Sequence, residues 1–160
     1  MHTVKFPEKP VIGWIGIGVM GNSMFSHLLD KGYPGIVFTR TREKAVTVIA
    51  KGAVWAENPG DLAAKSDIII TMVGYPRDVS EVYFGENGIL PHARKGSVLV
   101  DMTTTSPTLA EKIHEKAVQL GLHAVDAPVS GGDVGARNAS LSIMAGGEKE
   151  VFDVLLPVFE

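Results

Sequence analysis

The stretch Val11-Ile12-Gly13-Trp14-Ile15-Gly16-Ile17-Gly18-Val19-Met20-Gly21 decides the fold. Its first five residues are a short apolar run that ends on a glycine-rich turn, the pattern of a buried strand. Beyond the turn, Met20, Met24, Leu28 and Leu29 recur at helical spacing, and Gly32 stops the helix. A strand, a Gly-x-Gly-x-x-Gly turn and an amphipathic helix together form a dinucleotide-binding fingerprint. Gly16 allows the tight turn, Gly18 lets the backbone approach a pyrophosphate, and Gly21 lets helix and strand pack closely. The helix offers free N–H groups and the positive end of its dipole to phosphates. The bare spacing is a weak signal in a chain with 18 glycines. The strand before it and the helix after it give it weight. Gly16, Ile17, Gly18, Val19, Met20 and Gly21 are therefore candidate cofactor-binding residues, against the plain alternative of a packing turn.

Strand and helix signals alternate through the rest of the chain. Residues 36–39 read as a second strand, and 42–51 as a helix that ends at Gly52. Asn58 and Pro59 have the chemistry of a helix cap and first helical residue, starting a short helix that finishes near Lys65. Residues 67–72 carry three consecutive isoleucines, which suits a strand buried on both faces of a parallel sheet. Helices are expected over 76–83 and 108–120, the second with Ser106 as cap, and a last one over 148–159. Further strands are expected over 97–101, 123–126 and 140–145. The order predicts an α/β, Rossmann-type doubly wound fold: a mostly parallel sheet with helices on both faces. The functional turns then gather at the carboxyl ends of the strands. Residues 1–10 read as a flexible lead-in and 11–160 as one NAD(P)-binding domain.

Composition narrows the function classes. The 160 residues carry a net charge of -3 with the two signs interspersed, so there is no basic footprint for nucleic acid. There are no cysteines, which excludes disulfides and thiolate metal sites. The histidines show no ligand spacing, so no metal is expected. No apolar run reaches the roughly 18 residues of a membrane span. The first ten residues lack the apolar stretch of a signal peptide, and a cytoplasmic location is expected.

The cofactor choice turns on the end of the second strand. An NAD enzyme usually places Asp or Glu there against the ribose hydroxyls. This chain has Thr39, Arg40, Thr41, Arg42, and then Glu43 and Lys44. Without the acid, nothing at that point repels a 2′-phosphate, and Arg40 can offer it charge-assisted hydrogen bonds. NADP is favoured, with NAD as the alternative. A solvated basic start to a helix would explain the same residues.

Four stretches carry a family resemblance: Gly16 to Gly21 with Met24; Thr39-Arg40-Thr41 with Lys44; Asp101-Met102-Thr103-Thr104; and Asp126-Ala127-Pro128-Val129-Ser130-Gly131-Gly132. On these the chain resembles the β-hydroxyacid dehydrogenases, which include 3-hydroxyisobutyrate dehydrogenase, tartronate semialdehyde reductase and, more distantly, 6-phosphogluconate dehydrogenase. The resemblance implies reversible hydride transfer between a nicotinamide and a small 3-hydroxy acid. It puts Met72 and Val73 on the adenosine side of the cofactor and Thr104 near the nicotinamide. It gives Ser130, Gly131 and Gly132 the substrate carboxylate, a task that uncovered amides of a glycine pair can perform. Read without it, Met72 is equally a core residue, Thr104 a turn cap and Ser130-Gly131-Gly132 a plain loop.

The sequence departs from the family in two places. Thr39 stands where many NADP-using relatives carry Asn, and Asn138-Ala139-Ser140 replaces a Gly-Thr pair before Leu141. In the family the proton donor is a lysine on the helix after this domain and an asparagine close to it helps bind substrate, within a C-terminal helical domain that also carries the dimer contacts. Neither has a counterpart before Glu160, so no catalytic residue is assigned in this chain. The expectation is weak cofactor binding, no turnover by these residues alone, and homo-oligomerisation through that further domain. The alternatives are the NADP-binding domain of a 6-phosphogluconate dehydrogenase, an imine reductase, or a non-catalytic dinucleotide-binding module. The carboxylate-binding role implied for Ser130 to Gly132 argues against an imine substrate.

Overall fold

Ile68, Ile69 and Ile70 show how the sheet is built. Side chains alternate across a strand. Ile68 and Ile70 accordingly enter one apolar cluster and Ile69 the other, each no more than 1% exposed. A strand that buries both faces must lie inside a sheet covered on both sides. The structure, a computed structural model, describes residues 6–73, 76–103, 107–127, 129–130, 132–138, 142–143 and 149–159.

Six parallel strands form that sheet: β1 (Ile12–Ile15), β2 (Gly35–Phe38), β3 (Val54–Trp55), β4 (Ile68–Thr71), β5 (Val98–Asp101) and β6 (His123–Asp126). Their order is β3-β2-β1-β4-β5-β6. The doubly wound fold is thus present. β7 (Val129–Ser130) and β8 (Ser142–Ile143) make a separate antiparallel pair.

One face is covered by α1 (Val19–Asp30), α2 (Val46–Ala50) and, further along the chain, a helix over Lys149–Phe159. Phe25 and Leu28 of α1 and Val48 of α2 pack with Leu155 over Trp14, Ile68, Ile70 and Val100. The other face is covered by α3 (Pro59–Ala64), α4 (Pro76–Phe84), α5 (Ile89–His92) and α6 (Pro107–Gln119). Leu62, Tyr83, Ile89 and Ile113 are their buried contributions. Two later helices complete the chain, α7 (Gly132–Arg137) and α8 (Lys149–Phe159).

The expected helix over 42–51 is instead a 3-10 turn, Arg42–Ala45, followed by the five-residue α2. Ala45 and Val48 are its buried residues, and Gly52 ends it with a positive φ of 108°. β3, α5, β7 and α7 have no counterpart in the sequence expectations. The first three are two to four residues long, too short for a period of 2 or 3.6 to register. Of the last expected strand, Ser142–Ile143 is a strand, and the rest of 140–145 lies outside the described residues. Ser106 lies outside the described residues, whereas α6 does begin at Pro107.

The α3 cap forms as its sequence demands. Asn58 Oδ1 accepts from the Asp61 N–H at 2.8 Å, with Pro59 at the first helical position. Asn58→Ala is expected to cost about 1 kcal/mol. Ile70→Ala leaves a cavity between layers and is expected to cost about 2–5 kcal/mol. Urea unfolding of the two variants side by side checks both values and their order.

Candidate functional site

The chain runs from β1 to β2 on one side of β1, then returns through β3 and α3 to β4 on the other side. Beyond the carboxyl ends of β1 and β4 the connections diverge, which opens the crevice where open α/β sheets bind ligands. The glycine turn lies at this point. Gly16 has a φ of 101°, and a Cβ on it would overlap the carbonyl oxygen of Met72. A Cβ on Gly21 would overlap the carbonyl of Gly16. Gly18 is different: a Cβ there would meet nothing within 4 Å. Two glycines are demanded by packing, while the middle one faces open space.

Gly18 is also the N-cap of α1. It supplies no side-chain cap, and the first turn of α1 holds no acidic residue. The leading N–H groups of Val19, Met20 and Gly21 therefore precede the first intrahelical bonds with no carboxylate beside them, the electrostatic arrangement that favours an anion. The Trp14 indole lies beneath the turn and donates to the Gly16 carbonyl at 3.1 Å while stacking on Phe25. Met72 donates its N–H to the Ile15 carbonyl at 2.9 Å, which sets Met72 and Val73 against Gly16.

Thr39, at the end of β2, is buried, and its Oγ1 accepts from the Ile17 N–H at 3.3 Å. That bond holds the glycine turn and uses a lone pair of the hydroxyl, not its proton. Arg40, Thr41 and Lys44 follow, all exposed. The Arg40 guanidinium lies 3.9 Å from the carboxylate of Glu81 on α4. Sequence adjacency shows no acid near Arg40 before Glu43. Only the packing of α4 brings Glu81 there. The pair is about three-quarters exposed on both sides, and such pairs contribute about 0–1 kcal/mol. Arg42 instead lies over the Trp55 ring, 5.3 Å from its centroid.

Two carboxyls stand side by side at the ends of β5 and β6, since Asp101 pairs in register with Asp126. Burial raises the Asp101 pKa, against the opposing effect of hydrogen bonds from Thr103 and Thr71. Burial alone raises that of Asp126. Asp101 Oδ2 and Asp126 Oδ1 have no hydrogen-bond partner among the described residues. Tyr83, deeply buried and joined to Thr71, is raised well above an ordinary phenol, first by burial and then by Asp101. A cavity of about 280 Å³ opens beside these groups, between α6 and the ends of β5 and β6, with Tyr83, Asp101, His114 and Asp126 in its wall.

Ser130 pairs with Ser142 across β7 and β8, and Gly132 is the first residue of α7. Thr104 and Gly131 lie outside the described residues. His27 fastens α7 to α1, its Nε2 donating to the carbonyls of Ala136 at 2.8 Å and Arg137 at 3.0 Å. The helix that follows the candidate substrate motif is thus tied to the helix that opens at the glycine turn. Among the described residues, no group of three His, Asp or Glu side chains could hold a metal ion, and no helix is long and apolar enough to cross a membrane.

Burial penalises ionised Asp126 in the folded chain, so its folded pKa lies above its unfolded one. The stability associated with the neutral acid is complete below the unfolded value, near 3.9, and is lost as pH rises through the folded value. Asp126→Asn removes that ionisation. The variant is expected to melt higher than the parent at pH 7.5, with the gain disappearing towards pH 4; thermal melts across this range test the trend.

Comparison with known proteins agrees with this geometry. Residues 11–160 match the family model of the NAD binding domain of 6-phosphogluconate dehydrogenase. An uncharacterized oxidoreductase of Bacillus subtilis, YkwC, is 57% identical over 94% of this chain and 52% of its own length. A probable 3-hydroxyisobutyrate dehydrogenase-like 1 protein of Arabidopsis thaliana, mitochondrial, is 49% identical over 96% of this chain and 46% of its own. A solved 3-hydroxyisobutyrate dehydrogenase of Mycobacterium tuberculosis, with L-serine, superposes with a TM-score of 0.88 at 31% identity, covering 94% of this chain and 51% of that one. The chain spans about half the length of the curated relatives it matches. It belongs to the family of the NAD-binding domain of 6-phosphogluconate dehydrogenase, within the β-hydroxyacid dehydrogenases.

Proposed function

We propose that this chain is the cofactor-binding half of an NADP-preferring oxidoreductase that moves a hydride between the nicotinamide and the carbinol carbon of a small 3-hydroxy acid. The observation that carries the proposal is the glycine turn at the switch point of the sheet. Gly16 is pressed against Met72, Gly18 faces open space, and the first turn of α1 is free of acids. That cradle fits a dinucleotide. The N–H groups of Gly18 to Gly21 would hold the pyrophosphate, Met72 and Val73 would border the adenosine half, and Thr39, Arg40, Thr41 and Lys44 would surround the 2′-phosphate. The bound nicotinamide supplies the hydride acceptor or donor.

The protein's own part is positioning. Thr104 would flank the nicotinamide end, and Ser130, Gly131 and Gly132 would fix the substrate carboxylate, leaving the carbinol carbon turned to the ring. The L-serine of the mycobacterial relative is itself a small 3-hydroxy acid, and supports a substrate of this class. The proton on the carbinol oxygen would pass to the lysine that the family resemblance places outside these residues. A positioned acid or base of this kind contributes about 10²–10⁴ in rate. The resemblance likewise places homo-oligomer contacts outside these residues.

Arg40 decides between the two cofactors in this proposal. One charge-assisted contact to the 2′-phosphate is worth about 1.5–3 kcal/mol, or roughly tenfold to a hundredfold in affinity. Titration of the chain with NADPH and NADH, followed by cofactor fluorescence, should show that preference. Arg40→Ala should remove it by weakening NADPH while leaving NADH within about threefold. Equal affinity of the parent for both cofactors would refute the NADP assignment, and binding of neither would refute the site.

A further inference from the structure

Asp101 sits where an apolar residue would serve the sheet better. Val98, Leu99 and Val100 before it are all buried, and Asp101 itself is only 4% exposed. A buried carboxyl is costly unless hydrogen bonds compensate it, so its presence calls for a task beyond filling space. We propose that Asp101 is a positioning residue that locks the loop after β4 to the loop after β5, giving the two halves of the dinucleotide one preformed surface. This role rests on the dinucleotide site proposed above.

The hydrogen bonds converge on one carboxyl. The Thr103 N–H donates to Asp101 Oδ1 at 3.0 Å, and so does the Thr71 hydroxyl, also at 3.0 Å. The Thr71 oxygen lies 2.9 Å from the Tyr83 hydroxyl. With its own proton committed to Asp101, Thr71 accepts from Tyr83. The Thr103 hydroxyl oxygen in turn accepts from the Val73 N–H at 2.9 Å. Tyr83 on α4, Thr71 ending β4, Val73 after it and Thr103 after β5 are thus linked through one acceptor. Asp101, Thr71, Thr103 and Tyr83 are each no more than 4% exposed, and hydrogen bonds shielded from water are electrostatically stronger.

The linked segments are the ones that flank the crevice. Val73 follows Met72, whose carbonyl presses on Gly16. Thr103 directly precedes Thr104, the residue assigned to the nicotinamide end. Asp101 therefore joins the adenosine side to the nicotinamide side without touching the cofactor. Its loss should weaken the whole dinucleotide more than the adenosine half alone.

The test uses adenosine 2′,5′-bisphosphate as the adenosine-half probe beside NADPH. Thr103→Val and Asp101→Ala should each raise the NADPH Kd about tenfold and change that of the bisphosphate by less than about twofold. Thr103→Ser and Asp101→Asn, which retain the acceptors, should bind NADPH within about threefold of the parent. A merely structural role would lower the urea midpoint and weaken both ligands together, and that result overturns the proposal. So does an unchanged NADPH Kd in folded Thr103→Val. Should the disruptive variants fail to fold, hydrogen exchange on the parent chain decides. The Val73 and Thr103 amides, both hydrogen-bonded within the lock, should exchange through one shared opening in the ligand-free chain, whereas openings of clearly different free energy refute the lock. If the parent binds neither NADPH nor NADH, the dinucleotide site falls and this role with it.

Discussion

The contact between Gly16 and the carbonyl of Met72 constrains everything around it. β1 and β4 lie side by side, so the chain leaving β1 must turn directly over the end of β4. No side chain fits there, and the backbone takes a positive φ, which only glycine adopts without strain. The turn then delivers the chain into α1 with Gly21 pressed on Gly16, so that helix and strand pack as one unit. Trp14 fills the space beneath and bonds the Gly16 carbonyl, and Thr39 holds the Ile17 amide from the neighbouring strand. The open space at Gly18 is what this packing leaves, and its position follows from the contact.

The electrostatics of this end of the sheet divide by position. Towards β1 and β2 the groups favour anions: the leading amides of α1 and the exposed cations Arg40 and Lys44. Towards β5 and β6 lie Asp101 and Asp126, whose burial opposes their ionisation. A carboxyl can accept hydrogen bonds from several directions. Asp101 does so for Thr71 and Thr103. Glu81 is the exception, an exposed acid close to Arg40. Any 2′-phosphate there would compete with it for the same guanidinium.

Long, strongly patterned elements were legible from the amino acids. The β1 run, the three isoleucines of β4 and the Asn58-Pro59 cap state their structures locally, through burial pattern and backbone chemistry. Elements of two to four residues, such as β3, α5 and β7, were not, because they exist through pairing and packing with distant partners. The candidate site shows the same division. Gly16 to Gly21 and Arg40 are readable in order along the chain. The approach of Glu81 to Arg40 spans 41 positions between those two residue numbers, and no local pattern records it.

The sequence by itself therefore determined the class of fold, the glycine turn and the family, because these rest on periodicity, on backbone freedom and on short contiguous motifs. Only the tertiary structure decided what surrounds them. It committed a lone pair of the Thr39 hydroxyl to the glycine turn, placed Ser130 in a strand pair and tied α7 to α1 through His27. It also gathered Tyr83, Thr71, Thr103 and Val73 around Asp101. Hydrogen bonds between residues tens of positions apart depend on which strands become neighbours, and strand order arises only when the whole sheet closes over its two apolar layers.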